Sequence, residues 1–249
     1  MRETSGRLSR KSVPFKQEPM NRVWLPLHHV WTTDAGMSYF LIVLIIVLFV
    51  VFPLAHLGLV EHFLVDIGFS LMLISGALAT HRTRFLTSLI IVFTVGGVVI
   101  HWLTMYLPSF HHPLLDAFFI AGCFAAFFIV LMLQIFRPGP ITLHRVLGAV
   151  AAYLSIGITW GFAYYATSLL RPGAVRFDSP LQNYSIPESR YIYFSFTTLT
   201  TLGYGDVVPV DPVARSLAVA EALIGQLYPA ILIAGVLGMA LHTIVREGK

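Results

Sequence analysis

Six apolar runs divide the chain, at about 37–55, 63–80, 85–107, 113–136, 146–170 and 215–244. A helix needs about 20 apolar residues to cross roughly 30 Å of hydrocarbon, and the runs approach or exceed that length. The first is uninterrupted from Met37 to Phe52, whereas the second is short and carries Asp66. A proline-bounded loop, Leu107 to Pro113, joins the third and fourth. Between the fifth and sixth lies a connection of about 45 residues, too polar to face lipid, with one apolar segment too short to span. The pattern predicts an all-α integral membrane protein: six transmembrane helices plus one short helix that enters the membrane and returns.

Composition supports this reading. The 249 residues are 57% hydrophobic and 11% charged, against roughly 25% charged in soluble domains. That balance excludes a soluble enzyme, a nucleic-acid-binding module and a disordered chain. The single cysteine, Cys123, lies in an apolar run beside Gly122 and Phe124 and reads as a packing residue. The polar, basic segment 1–35 carries no signal for a cleavable leader. In it, Trp24 and Trp31 frame His28 and His29, which fits either a segment lying at the lipid headgroups or a solvated tail.

Basic residues set the expected orientation. Twelve of the sixteen Lys and Arg fall on one side: six in the N-terminal segment, then Arg82, Arg84, Arg137, Arg145, Arg246 and Lys249. The other four, Arg171, Arg176, Arg190 and Arg215, belong to the long connection and its return, where charge weighs less. Both termini are therefore expected in the cytoplasm of a multi-pass protein of the plasma (cell inner) membrane.

The long connection contains Tyr191-Ile-Tyr-Phe-Ser-Phe-Thr-Thr-Leu-Thr-Thr-Leu-Gly-Tyr-Gly-Asp206 followed by Val207, Val208 and Pro209. Ser185, Pro187 and Glu188 carry the spacing of a capping box with proline in the first turn. From Glu188 to Leu199 a helix of about three turns is expected, about 18 Å long at 1.5 Å per residue. Gly203 and Gly205 are expected to break it. The chain then returns as non-helical backbone at membrane depth, which survives only when buried in protein or lining a watery path. Glycines two apart permit backbone angles that turn successive carbonyls to one side.

Thr197-Thr-Leu-Thr-Thr-Leu-Gly-Tyr-Gly-Asp206 resembles the signature of the potassium channel family, whose carbonyl-lined filter replaces an ion's hydration shell. The resemblance covers about Val146 to Thr243: outer helix, pore helix, filter and inner helix. It implies K+ sites made by Thr201, Leu202, Gly203 and Tyr204, with Gly205 at the outer end and Asp206 anchoring the filter from behind. It also implies a gating hinge at Gly225, which Pro229 reinforces by removing an N–H four residues on. Gln226, Ile233, Leu237 and Leu241 share one helical face, which places Gln226 in a cavity and Leu237 or Leu241 at a gate. A static kink remains the other reading of Gly225 and Pro229. Leu202 departs from the family's usual Val, and Thr197 stands where some relatives carry an acid.

The fourth run contains no Arg or Lys, so it lacks the moving charges of a voltage sensor. Asp66 and Asp116, about a turn from the outer ends, read as water-reachable anchors. Glu221 lies deep in the sixth run. It reads either as a functional acid or as a carboxyl bonded behind the pore helix to Thr197 or Thr198. Among the histidines, His56, His62, His111 and His112 fall in outer loops and His81, His144 and His242 near the inner face, without metal-ligand spacing.

The expected organisation is a segment 1–35, a peripheral four-helix unit 36–137 and a pore domain 138–249. One chain supplies one filter strand, so a homotetramer in the lipid bilayer is expected. It would pass K+ with weak voltage dependence, without enzymatic activity, cofactor or nucleic-acid partner. The alternatives are a non-selective cation channel on the same pore and a secondary cation transporter. A transporter of the inverted-repeat kind would carry a second, inverted copy, and the sequence shows no such copy.

Overall fold

The computed structural model describes residues 35–79, 84–107, 112–137, 142–178 and 186–247, with the side chains of 62, 84, 85 and 239–247 outside that description. The expectations for Trp24, Trp31, His28, His29, His81, Arg82, His111, Ser185 and the side chain of Leu241 fall outside the described residues.

The chain is an all-α membrane protein. Helix α1 runs Ala35–His56, with a π-helical turn at Val47–Val51. It is followed by α2 His62–Ala79, α3 Arg84–Tyr106, α4 Pro113–Ile135 and α5 Leu143–Leu170. The short strand β1 Val175–Phe177, the short helix α6 Pro187–Leu199, strand β2 Val207–Pro209 and helix α7 Pro212–Glu247 complete it. Among the described residues five helices are long and apolar enough to cross a membrane. Helix α2, at 18 residues, reaches only about 27 Å at 1.5 Å per residue.

Helix starts follow local chemistry. Proline occupies the first turn of α4, α6 and α7, where its missing N–H costs nothing. Thr142 caps α5 by accepting the N–H of Arg145. Asp211 Oδ1 accepts the N–H of Val213 at 2.8 Å, so α7 begins at Pro212, before the apolar run itself. Helix α6 has Ile186 as its N-cap, with no side-chain bond.

Helix α5 is the hub. Its most extensive contact is with α4, followed by that with α6, and α1 lies against its first half through Met37 on Gly148 and Ser38 Oγ, 2.7 Å from His144 Nδ1. Phe40, Phe124, Phe127, Phe162 and Tyr164 are fully buried in the shared core. At one end of the bundle β1 pairs antiparallel with β2, Phe177 opposite Val207 and Val175 opposite Pro209. This two-stranded ribbon has no counterpart in the sequence reading.

The peripheral helices correct one expectation. Asp66 and Asp116 are 6% and 3% exposed, buried among the helices and not at the outer surface. Each faces His101 of α3, at 3.4 and 3.2 Å. Burial of a carboxylate is costly without partners, and His101 with Tyr106, whose hydroxyl donates to Asp66 at 2.8 Å, supplies them.

Candidate functional site

The site is the return of the chain from α6. Helix α6 ends in a Schellman motif: Leu202 N–H donates to Thr197 O at 2.9 Å and Thr201 N–H to Thr198 O at 2.9 Å. The left-handed residue of that motif is Thr201, φ +57°, a place where a β-branched residue is unusual. The helix therefore stops before Gly203, not because of it. Gly203 N–H also reaches Thr197 O, at 3.1 Å, so one carbonyl holds two successive amides of the returning strand.

Beyond the cap the backbone alternates. Positive φ occurs at Thr201 (+57°), Gly203 (+56°) and Gly205 (+84°), and at neither Leu202 nor Tyr204. Alternation between the two hands of backbone turns successive carbonyls toward one side, unlike a β-strand, where they alternate. Leu202 and Tyr204 then share the other side, and both line a groove of about 500 Å³ with Phe196 and Thr200 of α6 and Phe49 of α1.

The strand is held at its far end by Asp206. Tyr193 of α6 donates its hydroxyl to Asp206 Oδ2 at 2.7 Å, and Asp178 N–H donates to Asp206 O at 3.0 Å. The β1–β2 ribbon continues that clamp, and Val210 N–H closes it onto Ala174 O at 2.8 Å. Arg171 NH1, at the end of α5, pairs with Asp211 Oδ2 at 3.1 Å.

Behind α6, Glu221 is fully buried. Tyr164 donates to its Oε2 at 2.7 Å, and Ser195 Oγ lies 2.5 Å from its Oε1 and 2.6 Å from Gly157 O. A hydroxyl has one proton, so both Ser195 contacts are satisfied when Glu221 carries a proton and donates to Ser195. Thr197 and Thr198, expected as its partners, instead donate their hydroxyls to Phe194 O at 2.9 Å. They support the strand through their carbonyls.

Helix α7 crosses the end of α6 at Gly225. A Cβ there would stand 1.9 Å from the carbonyl oxygen of Leu199, so glycine is required by contact whether or not the helix bends. Tyr153 of α5 donates to the same oxygen at 3.2 Å. Pro229 lies within α7, a single helix from Pro212 to Glu247. Gln226, Ile233 and Leu237 are exposed on the single chain. Ile233 and Leu237 also border a groove of about 570 Å³ between α5 and α7, with Tyr153, Tyr228 and Pro229.

Comparison with known proteins agrees with this geometry. A family model described as ion channel matches residues 152–241. Over 105 residues, 42% of this chain, it is 31% identical to "Two pore potassium channel c" of Oryza sativa subsp. japonica. Over 42 residues, 17% of this chain, it is 48% identical to "Protein LctB" of Bacillus caldotenax, and equally to that of Geobacillus stearothermophilus. The matched part spans 20% of the rice protein and 31% of each bacterial one. No solved structure matches the chain. The helix–return–helix unit from Ala152 to Leu241 thus matches an ion-channel family model, and part of the chain is similar to a potassium channel, of whose length it spans a fifth.

Proposed function

We propose that this chain is one subunit of a homotetrameric, potassium-selective channel that conducts K+ passively. The observation that carries the reading is the alternation of backbone hand at Thr201, Gly203 and Gly205. Such alternation turns successive carbonyls to one side, and four such rows around an axis would replace the water shell of a monovalent cation. Thr201, Leu202, Gly203 and Tyr204 then supply the K+ sites, Gly205 the outer rim and Asp206 the anchor.

Assembly is supported by what a single chain leaves bare. Only 11% of the apolar window of α7 is buried, and Leu202 and Tyr204 are 54% and 67% exposed. A strand at membrane depth with unpaired carbonyls needs protein or water around it, and three further copies provide both. In this reading the chain spans six times, α6 enters from the ribbon side, and both termini lie in the cytoplasm of a cell membrane. The segments divide as 1–35, a peripheral unit 36–137 and a pore unit 138–249. Gly225 and Pro229 flex α7, and Gln226, Ile233, Leu237 and Leu241 face the conduction path below the filter. Helix α4 has no Arg or Lys between Pro113 and Ile135, so voltage dependence is weak.

Reconstitution into liposomes loaded with K+ and diluted into Na+ tests this. Rapid K+ efflux, accelerated by a proton carrier and not coupled to Na+ entry, is expected. Slow, saturating, obligately exchanged flux would support a transporter and overturn the channel reading.

A further inference from the structure

The buried cluster at His101 plays no part in the conduction reading, yet it touches the helix that supports the filter. His101 of α3 stands between two carboxylates, Nδ1 3.2 Å from Asp116 Oδ2 and Nε2 3.4 Å from Asp66 Oδ1. Together with Glu188, from the first turn of α6, they line one cavity of about 400 Å³. Thr104 and Tyr165 border it as well. Two oxygens in it, Asp116 Oδ1 and Thr104 Oγ1, are buried without a hydrogen-bond partner among the described residues, in side chains that are 3% and 8% exposed. Such groups cost free energy unless a partner such as water reaches them.

We propose that this cluster is a proton-binding site, and that its protonation, set by the pH on the ribbon side of the membrane, positions the start of α6 and so regulates conduction. The proposal rests on the channel reading for its effect on current, but not for the proton site itself.

The chemistry points to a proton. Only the doubly protonated imidazolium donates from both nitrogens, so a neutral His101 can donate to only one of its two aspartates. Among the described residues no three His, Cys, Asp or Glu side chains are placed to hold a metal ion. Glu188 is the group that moves. It lines the cavity together with Asp116, His101 and Tyr165, and Tyr191 packs on Tyr165 with ring centres 5.4 Å apart. On the opposite flank, His56 of α1 has Nε2 2.9 Å from Ser189 Oγ, and Tyr106 of α3 is engaged with Asp66. Once Glu188 and His101 have released their protons, the cavity gathers negative charge with no cation to offset it. Mutual repulsion at low dielectric then pushes Glu188, and the first turn of α6, outward. Helix α6 is 13 residues long and ends in the cap that holds Thr201 to Gly203, so a tilt at its start is delivered to the carbonyl row.

The test uses the full chain in liposomes. Patches are recorded while pH on the ribbon side is raised from mildly acid to mildly alkaline, for wild type, Glu188→Gln and His101→Gln. A several-fold fall in K+ current with rising pH in wild type, flattened in Glu188→Gln, is expected. Current that is independent of pH in wild type overturns the proposal, as does an unchanged pH profile in both variants. Difference infrared spectra of the same liposomes follow the carboxyl groups without any need for current. A pH-dependent carboxyl band that is lost in Glu188→Gln is expected, and its absence from wild type overturns the site even where no channel activity is seen.

Discussion

Gly225 and the Leu199 carbonyl touch: a Cβ on the glycine would stand 1.9 Å from that oxygen. The last turn of the short helix and the middle of α7 are thereby locked at the shortest distance two backbones allow. A conformational hinge and a contact glycine leave the same mark in a sequence, but they fail differently when replaced.

Gly225→Ala forces α7 off the end of α6. A loss of about 1–3 kcal/mol is expected from such overpacking, read as a lower melting temperature. Gly238, with nothing within 4 Å of its Cβ position, is the control. There alanine gains helix propensity, up to about 1 kcal/mol, so Gly238→Ala should leave the melting temperature unchanged or raised.

Glu221→Gln should fold and assemble, because an amide can donate to Ser195 as a protonated carboxyl does. Glu221→Ala strands Tyr164 and Ser195 in the core, at about 1–3 kcal/mol for a buried unsatisfied group. Thermal unfolding of the two variants distinguishes them; equal losses would remove the protonated arrangement.

Tyr193→Phe and Asp206→Asn each break the bond that anchors the outer end of the strand. Hydrogen bonds to a charged group contribute about 1.5–3 kcal/mol, and the double variant should be no worse than the worse single one. Fully additive losses in a double-mutant cycle would mean that the two residues act separately.

Gly203→Ala and Gly205→Ala place a Cβ on residues at φ +56° and +84°, costing roughly 1–2 kcal/mol each. Selectivity for K+ over Na+ should fall or conduction cease, as measured by competing ion flux. Unchanged selectivity in both would detach the glycines from ion recognition.

Much of the fold was legible because lipid imposes one rule, long apolar runs, and the runs at 113–136 and 146–170 lie within a few residues of α4 and α5. The start of α7 was placed late, since Asp211 and Pro212 act through capping and not through hydropathy. The sequence places the end of α6 at Leu199, as observed, but attributes it to Gly203 and Gly205 because glycine is the usual left-handed residue, whereas Thr201 takes that place. The ribbon escaped notice because three-residue strands separated by about thirty positions carry no periodicity. The partners of Glu221 were sought at Thr197 and Thr198, but their hydroxyls are already spent on Phe194 O, leaving Ser195 and Tyr164 to face the acid. His101 lies inside the third apolar run. An ionisable residue inside an apolar run is a functional candidate in its own right, and that signal was present in the third run.

The central claim is tested most directly by the reversal potential of the reconstituted protein in a planar bilayer with K+ on one side and Na+ on the other. The account predicts discrete current steps that reverse far toward the K+ equilibrium potential, with open probability changing little with voltage. Current steps that reverse near zero would contradict potassium selectivity and leave a non-selective cation pore.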